Sequence, residues 1–255
     1  MLLAIDIGNT NSVFGIFSDG ELLTHWRLTS AMTRTVDESW ITVKLLCEEE
    51  GIRPDALDSV IIGSVVPNVT DVFATMGEKY LAIDPVIVDA SLPLDLNILY
   101  EDPKQVGADR ICNAIAGKAL YDLPQVILDF GTATTFDVLN GNGDYMGGII
   151  MPGFEISARD LFSKAARLFK VDLHFPEKVI GTNTEESMQS GILYGAVDSI
   201  NGMIRRIRNS LGTDDMDVIV TGGIGKLLLP HIEDAREYNP DLTLYGLQLI
   251  YEQVG

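Results

Sequence analysis

Asp6-Ile7-Gly8-Asn9-Thr10 follows the apolar run Met1 to Ile5, and Asp129-Phe130-Gly131-Thr132-Ala133-Thr134-Thr135 follows the run Val126 to Leu128. An Asp-x-Gly element with threonine close behind it therefore stands near the start of the chain and again near its middle, and such an echo is most simply a duplicated domain. In each copy the apolar run predicts a buried strand with the Asp at its end, a tight turn permitted by the Gly, and hydroxyls lining that turn. Successive backbone N–H groups around such a turn form an anion-binding concavity. A carboxylate at the strand end can hold a hydrated divalent cation against phosphates. Taken singly, either copy also reads as an ordinary hairpin turn. Two copies, one in each half, favour a pair of phosphate loops.

Outward from the first element, Val13 to Phe17 resumes the apolar pattern, Asp19-Gly20 signals a hairpin, and Glu21 to Thr29 reads as a third strand. Asp37 and Glu38 open a helix carrying Trp40, Val43, Leu46 and Cys47 that stops at Gly51. Ser59 to Val66 is an unbroken apolar run suited to a buried parallel strand, Pro67 starts a helix, and Pro85 to Val88 gives another strand. The second half repeats this order. Gln125 to Asp129, Phe136 to Leu139 and Tyr145 to Ile150 read as strands, Glu155 to Phe169 and Ser187 to Leu211 as helices, and Asp217 to Thr221 as a strand entering Gly222-Gly223-Ile224-Gly225. Thr184 is the expected cap of the long helix, with Glu185 and Glu186 in its first turn. The expected domains are residues 1–115 and 116–255, divided within a helix running from Asp109 to Tyr121.

With 18 Lys and Arg against 37 Asp and Glu, a formal charge of -19, the long-range field repels nucleic acid and anionic membrane. Anionic substrates must then be received by local N–H groups, a bound cation and a few placed basic residues. Cys47 and Cys112 are too few and too distant in sequence for a metal knuckle or a disulfide framework, which fits a reducing cytoplasm. His25, His174 and His231 are equally scattered, so a histidine metalloenzyme or a serine-histidine hydrolase has little support. The opening apolar run is stopped by Asp6 and lacks a basic leader, and no segment approaches a membrane span, so the expectation is a soluble, unexported protein.

Two familiar nucleotide signatures are excluded. Neither Gly117-Lys118 nor Gly225-Lys226 is followed by Ser or Thr, and Gly222-Gly223-Ile224-Gly225 lacks the spacing of a dinucleotide fingerprint. Gly107-Ala108-Asp109-Arg110 places an acid and a base at a helix start. Asp109 there is either a cap with Arg110 as its solvated neighbour, or a proton acceptor with Arg110 pairing a carboxylate or phosphate. Spacing does not choose between these.

The paired loops with a late Gly-Gly turn resemble the actin, heat-shock ATPase and sugar kinase superfamily. The implied fold is α/β: duplicated actin-like, ribonuclease H-like domains, mixed sheets flanked by helices with a nucleotide cleft between them. More narrowly, Asp6 to Asn11, Gly63-Ser64-Val65-Val66-Pro67, Gly107 to Arg110, Asp129 to Thr135, Gly147-Gly148 with Pro152-Gly153, and Thr221-Gly222-Gly223 together resemble type III pantothenate kinase, in order along nearly the whole chain. Met151 departs from the pattern where the family often has a small residue.

The resemblance implies ATP-dependent phosphorylation of the terminal hydroxyl of pantothenate, the first step toward coenzyme A, with Asp109 as general base. It implies ATP contacts from Asp6, Ile7, Gly8, Asn9, Thr10, Asn11, Ser12, Val13 and Thr132, and pantothenate contacts from Tyr100, Gly107, Ala108, Asp109, Arg110 and Thr184. It also implies a monovalent cation, K⁺ or NH₄⁺, at Asp129, Mg²⁺ at Asp6, and a homodimer whose subunits share the pantothenate pocket. The long helix carries Met188, Ile192, Gly195, Ala196, Ser199 and Met203 at helical spacing, which periodicity alone favours as a stripe of intrachain core and the resemblance as a dimer face. Two other functions fit the same superfamily: a nucleotide-binding regulatory protein, and a kinase for a sugar or polyol.

Overall fold

The computed structural model describes residues 1–30, 33–164 and 170–255. Each half of the chain builds a five-stranded sheet, and the two sheets have the same topology. In the first, β1 (Leu2–Ile7), β2 (Asn11–Ser18), β3 (Glu21–Thr29), β4 (Ser59–Ser64) and β5 (Val86–Ile87) lie in the order β3-β2-β1-β4-β5. In the second, β6 (Gln125–Phe130), β7 (Ala133–Leu139), β8 (Tyr145–Pro152), β9 (Asp217–Gly222) and β10 (Ala235–Tyr238) lie in the order β8-β7-β6-β9-β10. The first three strands of each half form an antiparallel meander, and the fourth pairs parallel with the first. The duplication legible in two short elements is thus a duplication of whole sheets.

Period-two alternation decides which face each strand buries. In the first sheet Leu3, Ile5, Ile7, Phe14, Ile16 and Ile62 pack beneath α1 (Val36–Glu49) and α2 (Pro67–Met76), which contribute Val43, Cys47, Val69, Phe73 and Met76. In the second, Val126, Leu128, Phe130, Phe136 and Val138 pack with Leu193, Val197, Ile200, Ile204 and Ile207 of the long helix Thr184–Leu211. Within the second sheet, Tyr145 donates a 2.9 Å hydrogen bond to Asp137, and both residues are fully buried. That pairing removes most of the cost of placing a carboxylate in the core.

The remaining helices are α3 (Ala108–Leu120), α4 (Phe154–Lys164), α5 (Thr184–Leu211), the single turn α6 (Gly225–Leu228) and α7 (Leu242–Val254). Of the expected helix Glu155 to Phe169, residues 165–169 lie outside the described residues. Two helix starts differ from the sequence reading. The cap of α1 is Thr35, which forms a reciprocal capping box with Glu38, so Asp37 is already inside the helix. The cap of α5 is Asn183, whose side-chain oxygen accepts from Glu186 N–H at 2.9 Å, so Thr184 is the first helical residue.

The chain divides into two compact units, Met1–Ala119 with Asp241–Gly255, and Leu120–Pro240. A cut between 115 and 116 falls inside α3, and α7 returns to the first unit, where Gly246 lies directly on the backbone of Cys112. No β-carbon fits at that contact, which is why the two helices meet at a glycine. Among the described residues, no helix is long and apolar enough to cross a membrane.

Candidate active site

In the first unit β1 and β2 pair as far as Ile7 opposite Ser12, and the Gly8 N–H donates to the Asn11 carbonyl at 3.0 Å. The chain therefore turns over Gly8, Asn9 and Thr10, while Asn11, Ser12 and Val13 already belong to β2. Asn9 and Thr10 are exposed, whereas Ser12 is buried. Ser30, just past β3, closes on this loop through both its backbone and its side chain. Its N–H donates to the Thr10 carbonyl at 2.9 Å, its hydroxyl donates to the Gly8 carbonyl at 2.7 Å, and the Ser12 hydroxyl lies 2.8 Å away. The sequence reading does not single out Ser30, whose only signal is its place immediately after the third strand of the meander.

Asp6 pairs with Val13 on one side and with Gly63 on the other. A β-carbon at Gly63 would stand 3.5 Å from Cys112 Sγ and 3.9 Å from Ala108 Cβ, so the first turn of α3 rests on the sheet face that carries Asp6. The preceding Gly107 is equally constrained, since a β-carbon there would come within 2.5 Å of Asp109 Oδ1 and 3.4 Å of Val65 Cγ1. Gly63-Ser64-Val65 and Gly107-Ala108-Asp109 are thus two sides of one contact.

Asp109 is not the helix cap. Its helix starts at Ala108, the Gly107 carbonyl accepts the Ile111 N–H at 3.1 Å, and Asp109 Oδ1 accepts the N–H of Arg110 at 2.8 Å. Nor is Arg110 a solvated neighbour, for it is 7% exposed. Burial pushes the Asp109 carboxyl above the ordinary range, and the Arg110 N–H and guanidinium pull it only part of the way back. Burial likewise pushes the Cys112 thiol well up, and the charges of Asp6 and Asp109 push it further. Both carboxylates therefore bear on one point at the start of α3. The thiol stays protonated there and is no nucleophile.

In the second unit Asp129 pairs with Thr135 and with Thr221, as Asp6 does with Val13 and Gly63. This loop is one residue shorter: Phe130 pairs with Thr134, and the Gly131 N–H donates to Ala133 at 3.1 Å. Thr132 is exposed at its tip. Two glycines press on it. Gly153 approaches the Thr132 and Gly131 carbonyls too closely for any β-carbon, and Gly222, at φ +86°, would carry a β-carbon 2.6 Å from Asp129 Oδ1.

Thr184, exposed at the first turn of α5, lines a cavity of about 910 Å³ together with Thr134, Pro152, Phe154, Ile192 and Gly195. Tyr100 is half-buried in the irregular stretch between β5 and α3. The structure thus brings Asp6, the Gly8 to Thr10 turn, Gly107, Asp109 and Arg110 together in the first unit, and Asp129 with Thr132 in the second. Among the described residues no group of three or more His, Cys, Asp or Glu gathers as a metal site.

The sequence model of the type III pantothenate kinase family matches residues 2–206. The chain belongs to that family. It is 43% identical to the type III pantothenate kinase of Thermomicrobium roseum over 254 residues, covering 100% of this chain and 98% of the other. Its reaction is the ATP-dependent phosphorylation of pantothenate, the first step of coenzyme A synthesis. Solved structures share the fold at low identity. A Campylobacter jejuni chain described as a Baf family transcriptional activator superposes with a TM-score of 0.62 at 19% identity, covering 98% of each chain. The activator of 2-hydroxyisocaproyl-CoA dehydratase from Clostridium difficile does so with a TM-score of 0.54 at 11% identity, covering 99% of this chain and 95% of that one. The architecture, two similar sheets flanked by helices, is the actin-like superfamily fold to which this family belongs.

Proposed function

We propose that Asp109 is the general base of this pantothenate kinase, and that the Asp6 to Val13 loop with Thr132 holds the phosphates of ATP. The carrying observation is the half-buried Asp109 carboxylate, held by the Arg110 N–H in the first turn of α3, which rests on the sheet face that carries Asp6. A carboxylate whose affinity for protons is raised by burial is a better acceptor for a hydroxyl proton as phosphoryl transfer proceeds. Phosphoryl transfer asks mainly for in-line positioning and charge stabilisation, which backbone N–H groups around Gly8 can supply. Arg110, buried and cationic, is suited to the carboxylate of pantothenate, with Tyr100, Gly107, Ala108 and Thr184 completing the pocket.

Mg²⁺ typically takes one or two carboxylates and fills its remaining positions with phosphate oxygens and water. The single carboxylate of Asp6 beside the turn fits that pattern and would hold it, the ion neutralising charge on the transferring phosphoryl group. Asp129, at the equivalent strand end with backbone oxygens of its loop nearby, fits a K⁺ or NH₄⁺ ion, which would offset charge on the nucleotide. Replacing potassium by sodium is expected to raise the KM for ATP in the parent. Asp129→Ala is expected to erase the difference between the two salts, and a mutant that still discriminates would place the cation elsewhere.

A homodimer sharing the pantothenate pocket is supported by the surface of α5, where Gly191 and Gly195 face open space beside the 910 Å³ cavity that Thr184 lines. Small residues there permit close approach of a second helix, and a two-fold axis would produce two equivalent sites. Arg110→Ala and Thr184→Ala subunits, each nearly inactive alone, are expected to recover activity when mixed, through one intact site per mixed dimer. Failure after verified subunit exchange would mean that each site is built within one chain. The two buried, unbridged cysteines support a reducing compartment, the cytoplasm.

A further inference from the structure

We propose that Ser30 is a positioning residue that aims the N–H groups of the first phosphate loop, an inference resting on that loop's role in binding ATP. A trans peptide is planar, with its C=O and N–H pointing in opposite directions. The Gly8 carbonyl is held by the Ser30 hydroxyl and the Thr10 carbonyl by the Ser30 N–H. The N–H groups sharing those peptide planes belong to Asn9 and Asn11, and both are therefore directed to the side of the loop opposite Ser30. One residue sets the direction of two donors.

The hydroxyl chemistry carries this further. A serine hydroxyl has a single hydrogen. That of Ser30 goes to the Gly8 carbonyl, so the 2.8 Å contact between Ser12 and Ser30 requires Ser12 to donate. Ser12, 2% exposed, thus commits its proton to Ser30 and serves ATP through the clamp rather than as a direct phosphate donor. The duplicated half lacks this device. There Gly153, just past β8 as Ser30 is just past β3, has no side chain and instead brings its backbone against the Gly131 and Thr132 carbonyls. The longer first loop is held by a hydroxyl, the shorter second one by close backbone approach.

The test compares full-length parent, Ser30→Ala, Ser30→Thr and Gly8→Ala. Readouts are the affinity for a non-hydrolysable ATP analogue with Mg²⁺, the KM values of both substrates, and the melting temperature. Ser30→Ala keeps the N–H bond to Thr10 but loses the hydroxyl bonds, and is expected to weaken the analogue about ten-fold, the scale of one or two hydrogen bonds. The KM for pantothenate should be unchanged, and Ser30→Thr, which keeps a hydroxyl, should restore most of the loss. Analogue binding unchanged in Ser30→Ala but lost in Gly8→Ala would overturn the clamp and leave the loop's role standing. Unchanged binding in both would overturn the loop's role as well. Equal loss for both substrates without rescue by Thr would make Ser30 merely structural and also overturn the proposal. If Ser30→Ala does not fold, Ser30→Cys, close in size but a weak donor, replaces it.

Discussion

Asp109→Asn is expected to lower kcat by about 10² to 10⁴, the usual worth of a positioned general base, while leaving the KM for pantothenate nearly unchanged. Asn preserves the shape and an oxygen able to accept the 2.8 Å bond from the Arg110 N–H, so the turn over Gly107 should persist. The proton acceptor alone is lost. Because burial raises the Asp109 carboxyl above its ordinary value, the parent should lose kcat/KM as pH falls through that raised value, earlier than an exposed aspartate would. The same shift has a sign for stability. A carboxyl that binds its proton more tightly folded than unfolded favours folding below the unfolded pKa, and that contribution is lost as pH rises through the folded one. At neutral pH the ionised Asp109 is therefore a burden on the fold, and Asp109→Asn should melt at or above the parent temperature. A fall in kcat and pantothenate affinity by the same factor would instead make Asp109 a binding residue. A mutant that keeps the acid limb would assign that limb to another group.

The sheets were legible because their strands carry their own evidence. The run Ser59 to Val66 reads as a buried strand, of which β4 takes Ser59–Ser64, and the two Asp-x-Gly elements fall at matching strand ends, Asp6 opposite Gly63 and Asp129 opposite Thr221. Helix starts were less legible, since Thr35 and Asn183 compete with the neighbouring Asp37 and Thr184 for the same capping role and local sequence ranks them similarly. What set aside the reading of Asp109 as a cap with a solvated neighbour was not local at all. It was the burial of Arg110 and the approach of Gly63 to Ala108 and Cys112, contacts between segments far apart in sequence. The return of α7 to the first unit was hidden for the same reason, as nothing in Leu242 to Val254 names the sheet it covers. Ser30 escaped because a serine after a strand is unremarkable until the loop it grips is in place.

Gly222→Ala is expected to damage both stability and cation selectivity, and more severely than its one added methyl suggests. The residue ends β9 at φ +86°, where a β-carbon costs roughly 1–2 kcal/mol from backbone strain alone. That β-carbon would also meet Phe130 N, the Phe130 carbonyl carbon at 2.6 Å and Asp129 Oδ1 at 2.6 Å. Phe130 and Asp129 belong to β6, which is hydrogen-bonded to β7 on one side and β9 on the other, so its backbone cannot yield. Asp129 must swing away or the strands must part. Strain and overpacking together predict a loss of roughly 3 kcal/mol in unfolding free energy. Gly141→Ala supplies the comparison: its added carbon meets nothing within 4 Å, and it should stay within about 0.5 kcal/mol of the parent. Urea unfolding measures the first effect, and the KM for ATP in potassium and in sodium measures the second. Displacement of the Asp129 carboxylate should make Gly222→Ala behave as Asp129→Ala does, with the two salts no longer distinguished. A Gly222→Ala protein that is destabilised yet still prefers potassium would show that the carboxylate holds its place without the glycine, and that the cation's oxygen ligands lie on the far side of the loop from β9.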